Sequence, residues 1–123
     1  MSSRATLIEF LEPLLSGTPG LERVKLIPSV RATDQLSSRP ILIVKTDSFE
    51  KLTEAPRYTQ GNFTLVLVSN KVNVDEAEDQ LDDLLGILLP TLQGAGVMWD
   101  RATQTAYDDQ HIAYDITVRS ILS

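Results

Sequence analysis

The only histidine of the chain, His111, lies among three carboxylates, Asp108, Asp109 and Asp115. A carboxylate beside an imidazole orients the ring and tunes it as a general base. Catalysis would also need a nucleophile, oxyanion donors and a pocket, and the sequence marks none of them. The competing reading is a histidine at a hairpin end, facing water, and that is the expectation. The other concentration of reactive groups is acidic. Asp75, Glu76, Glu78, Asp79, Asp82 and Asp83 follow one another with no base between them. Carboxylates three and four apart share a helix face, so Asp79, Asp82 and Asp83 have the spacing of a metal or diphosphate site. Such a site needs matching acids on a second helix, and the sequence has none. Two readings remain: a solvated polar face, or an acidic surface turned toward a partner or a channel.

Other chemistry is bounded by composition. The chain has 123 residues and no cysteine, which excludes disulfides, thiolate catalysis and zinc–sulfur sites. A single histidine excludes a histidine-based metal cluster. Gly17 and Gly20, and likewise Gly94 and Gly96, lack the context of a phosphate loop, and there is no GxSxG or HExxH. No cofactor is expected, and the chain reads as a non-enzyme. With 17 acids against 11 bases it lacks the basic footprint of an autonomous nucleic-acid binder. No apolar run reaches transmembrane length, so no membrane is expected. The N-terminal residues do not read as a signal peptide, and synthesis in the cytoplasm is the expectation. Arg31 and Arg39 flank a polar connection and are candidates for pairing with acids of a neighbour. Trp99 is a candidate interface aromatic.

The elements that position these groups are legible in part. Residues 72–92 carry the clearest helix. Asp75 reads as its N-cap, with Glu78 completing a capping box. Ala77, Leu81, Leu84, Leu85, Leu88 and Leu92 then form an apolar face. Pro90 lacks an amide hydrogen and crowds the carbonyl of Gly86, which predicts a bend, or a stop near Leu89. Residues 4–15 predict a first helix bent at Pro13, with Gly17 just past its end. Residues 22–27, 41–45 and 63–68 read as strands, the last two apolar at nearly every position and so covered on both faces. Residues 28–40 and 47–61 read as connections, and Phe49, Leu52 and Tyr58 are candidates to anchor the second one. Residues 97–107 and 110–122 predict a closing hairpin that turns at Asp108-Asp109. In the first of its strands, Trp99 shares a side with Arg101 and Thr103, and neither side is cleanly apolar. That predicts an edge strand, or one that meets another subunit.

The resulting order is α-β-β-β-α-β-β, a single α+β domain over residues 1–123. Two helices would pack on one face of a five-stranded, mainly antiparallel sheet. They leave the other face without helical cover, so the 47–61 segment or a neighbouring chain is expected to supply it.

Four pieces together resemble the tail terminator proteins of long-tailed (siphovirus-type) bacteriophages, especially those that infect actinobacteria. They are the opening amphipathic helix, Ser38-Arg39-Pro40 before an apolar strand, Ala77-Glu78-Asp79 followed by Leu81-Asp82-Asp83-Leu84-Leu85, and Ala113-Tyr114-Asp115-Ile116-Thr117 in the last strand. The resemblance covers nearly the whole chain. It implies a ring-forming structural protein of the virion, commonly a hexamer. Such a ring docks on the head-proximal end of the tail tube, stops tube growth and offers its other face to head-completion proteins. Double-stranded DNA passes through without sequence-specific binding. Under that resemblance, Asp75, Glu76, Asp79, Asp82 and Asp83 are candidates for a lumen lining that repels phosphate. Arg31, Arg39, Phe49, Leu52, Tyr58 and Trp99 are candidates for contacts with neighbours or tube. The alternatives are a head-completion or neck connector protein, a small cytoplasmic ligand-binding regulatory domain, and a small enzyme using His111.

Overall fold

A sheet whose two faces are used differently dominates the molecule. The computed structural model describes residues 3–27, 39–51 and 59–122. They form α1 (Ser3–Gly17), β1 (Lys25–Ile27), β2 (Ile41–Lys51), β3 (Thr59–Val68), α2 (Val74–Gly94), β4 (Met98–Ala106) and β5 (Ile112–Leu122). The spatial order is β1-β2-β3-β5-β4. β1 runs parallel to β2, and every other neighbouring pair is antiparallel. This is the expected α+β architecture, with both helices on one face.

Leu7, Leu11 and Leu15, each four residues on from the last, turn one stripe of α1 into the core. Pro13 sits inside α1 but faces solvent, where the lost amide bond strands no buried group. The helix therefore continues through it, and Gly17 is its last residue rather than the first beyond it. Thr18 Oγ1 donates to Leu14 O at 2.6 Å and closes the end. The glycine the turn requires is Gly20, with φ +96°, where a Cβ would lie 2.5 Å from Ile87 Cδ1. Leu21 and Val24 are then buried through hydrogen-bonded turns, so the strand expected from residue 22 starts only at Lys25.

Of the segment expected to connect, 47–61, the described residues are strand, and 52–58 lie outside the described residues. β2 runs on to Lys51 and β3 begins at Thr59. A bulge between Thr46 and Ser48 sets Asp47 out of register. Beyond it, polar cross-strand bonds replace apolar packing. Thr64 Oγ1 donates to Asp47 Oδ2 at 2.5 Å, and Asn62 Nδ2 donates to Ser48 Oγ at 3.0 Å. The composition resembled a loop because the backbone ladder here is flanked by polar side chains that bond across the strands.

The helix-covered face carries the main core: Leu42, Val44, Phe63, Leu65, Leu67, Ile116 and Val118 meet the leucines of α1 and α2. The reverse face holds Ile27, Ile41, Ile43, Val66, Val68 and Ala113, packed together and only 0–6% exposed. The central strands are thus buried on both faces, as their composition predicted. The single chain already buries this apolar part of the second face, so its burial does not call for a neighbouring chain.

Candidate functional site

The acids of α2 are set by how that helix starts. Its N-cap is Asn73, not Asp75: Asn73 is extended, and its Oδ1 accepts from the Glu76 amide at 3.1 Å. Asn and Asp cap almost equally well. The choice falls two residues earlier because α2 is tied down there. Ser69, fully buried, donates to Gln80 Oε1 at 2.6 Å and accepts from the Lys71 amide at 3.1 Å. Gln80 Nε2 donates to Asn70 Oδ1 at 2.9 Å. Asp75 and Glu76 then fall in the first turn, at the positive end of the helix dipole.

The helix does not stop at Leu89 but runs through Pro90 to Gly94. Pro90 is exposed and Gly86 has open space around it. Thr91 Oγ1 donates to Ile87 O at 2.7 Å within the same turn. The buried residues are the six the spacing predicted, Ala77 to Leu92.

All six acids from Asp75 to Asp83 are exposed, and no ion pair among the described residues involves them. Asp75, Asp79 and Asp82, four and three apart, follow one flank of the helix. That flank leads to a trough of about 530 Å³ between α2 and β4. Leu85, Leu89, Pro90, Trp99, Ala102 and Tyr114 line it, with Asp82 on the rim. Gln93 flanks Met98 and Trp99, so the C-terminal end of α2 lies at Trp99 and Asp82 at the Ala102 end.

Trp99 reaches this trough through a bulge. The β4–β5 register steps from Trp99↔Val118 to Arg101↔Thr117, which sets Asp100 aside and puts Trp99 and Ala102 on the helix-side face. A strict alternation would have paired Trp99 with Arg101, as the sequence suggested. The expected edge strand is indeed β4, which ends the sheet. Asp100, pushed outward, pairs with Arg119 at 2.7 Å.

The other candidates lie apart from this trough. Phe49, on β2, is 51% exposed and stacks edge-on against Phe63 at 6.2 Å. Arg39 lies beside Glu12, Lys25 and Leu26 near the opposite sheet edge. Arg31, Leu52 and Tyr58 lie outside the described residues.

His111 has a definite partner. Its Nδ1 lies 2.9 Å from Asp108 Oδ1, and the same oxygen accepts from the amides of Gln110 and His111, each at 2.8 Å. Slight burial acts to raise the Asp108 pKa, but these hydrogen bonds and the imidazole charge outweigh it and hold the carboxyl below the usual range. Tyr107 is pushed up, by burial first and then by the Asp108 charge. This cluster ties the β4–β5 turn. Among the described residues, no three His, Asp or Glu side chains converge as a metal site, and no helix is long and apolar enough to cross a membrane.

No protein-family model matches the chain, and no curated protein matches it.

Proposed function

We propose that this chain is a ring-forming structural protein of a phage virion that caps the head-proximal end of the tail tube. It stops tube polymerisation there and offers a surface for head attachment. In this reading it is made in the host cytoplasm and resides in the virion. It has no catalytic activity and no cofactor. Its partners are further copies of itself in a ring, of hexamer type, together with the tail tube protein and a head-completion protein.

The observation that supports the reading best is the exposed acidic flank of α2, which has no ion pair among the described residues. A surface of that kind repels phosphate, so double-stranded DNA slides past it instead of sticking.

The test adds purified protein to growing tail tubes, with electron microscopy and solution mass on the same sample. Rings on one tube end, with growth halted, are the expected result, whether the free protein is monomeric or assembled. Tubes that keep growing uncapped at protein excess overturn the reading.

A further inference from the structure

We infer that the trough between α2 and β4 docks an extended polypeptide segment of a partner protein, which pairs with the β4 edge and carries a lysine or arginine toward Asp82. The inference does not rest on the ring reading. Three observations converge on it. The first is the edge. The sheet ends on β4, a nine-residue strand, whereas the opposite edge is β1 with three residues. Edge strands are usually blunted by charges, proline or bulges, and β4 has its bulge and charges near its start, at Asp100 and Arg101. Beyond its bulge, β4 continues from Arg101 as Ala-Thr-Gln-Thr-Ala, with none of these.

The second is the trough beside that edge. A strand added to β4 alternates its side chains, so every second one enters the space between β4 and α2. Trp99, Ala102 and Leu89 offer apolar contact there.

The third is charge. Asp82 stands at the Ala102 end of the trough, with Asp79 and Asp75 further along the same flank and no ion pair to any of them among the described residues. The fitting segment therefore has apolar residues at i and i+2, opposite Trp99 and Ala102, and a cation at i+4. Charge also argues against a second copy of the chain. Pairing β4 with its own symmetry mate would set two acidic flanks face to face, and β1, with three residues, is too short to supply the extended segment.

Trp99 is the one tryptophan of the chain, so its emission reports on the trough directly. The probe is the synthetic peptide Thr-Leu-Thr-Leu-Thr-Lys-Thr together with its reversed sequence, which covers both strand directions. One of the two is expected to give a saturable change in Trp99 emission and to slow amide exchange over residues 101–106. Replacing the peptide's alternate threonines by proline is expected to abolish both. Asp82→Asn is expected to weaken binding roughly two- to fivefold, the effect of one exposed charge pair. A Trp99 response that survives the proline substitutions overturns the proposal, as does no response to either peptide or an Asp82→Asn variant that binds equally well. Emission that changes with protein concentration alone identifies a second copy as the occupant and overturns it as well.

Discussion

At the scale of single residues, the least conspicuous side chains carry the most consequence. Ser69 is fully buried and its hydroxyl serves both Gln80 and the Lys71 amide. Ser69→Ala leaves Gln80 Oε1 and that amide without their partner. The expected cost is about 1–3 kcal/mol, the penalty for unsatisfied buried groups, read from chemical denaturation. Asp108 gives a pH-dependent prediction. Its folded-state pKa is lowered, so its contribution is fully present above the unfolded-state pKa and fades as pH falls through the lower folded value. Asp108→Asn is expected to lower stability at neutral pH and to flatten the acid limb of the stability profile, followed by thermal melting against pH. His111 belongs to the same turn, so His111→Ala should perturb the hairpin and leave the trough intact, which the Trp99 emission reports.

At the scale of elements, two breaks in periodicity shape the surface. The bulge in β4 brings Trp99 and Ala102 to one face, and the bulge in β2 frees Asp47 to bond Thr64. Neither is visible in a residue pattern read with strict alternation, because a bulge changes the face of everything beyond it. The turn between α1 and β1 depends on Gly20, which combines a positive φ with contact against Ile87 of α2. Gly20→Ala is expected to cost about 1–3 kcal/mol, since a side chain there is strained and displaces Ile87. Denaturant unfolding measures it, and a loss within error would show that the turn can rearrange. Helix α2 passes through Pro90 because that residue faces solvent and the turn around it keeps its other bonds.

For the whole molecule, the reverse face of the sheet changes the argument about assembly. Ile41, Ile43, Val66 and Val68 are buried within the chain, so these residues do not offer an apolar face for association. Among the described residues, a ring has edges, polar surface and separate exposed apolar residues to draw on, Phe10, Phe49, Val72, Val74 and Met98. Such interfaces resemble transient ones more than obligate ones. The expectation is a concentration-dependent oligomer, or one that forms only on the tube end, checked by sedimentation across a concentration series. Replacing Asp79, Asp82 and Asp83 by asparagine should leave stability within about 0.5 kcal/mol, as for exposed positions. Under the terminator reading it should slow DNA passage, measured as ejection from assembled virions.

The fold class, the element order and the six buried positions of α2 were legible in the chain, because helix and strand periodicities report directly on which face meets the core. So was the need for cover on both faces of β2 and β3, from their unbroken apolar runs. The cap at Asn73, the strand ends at Lys51 and Thr59, the side to which Trp99 turns and the trough it lines were decided by tertiary structure. Each depends on partners far apart in sequence: Ser69 with Gln80, Asp47 with Thr64, Val118 with Trp99, and Leu89 with the β4 edge. Local composition determines what a segment prefers, and only packing determines which of several near-equal local choices is taken.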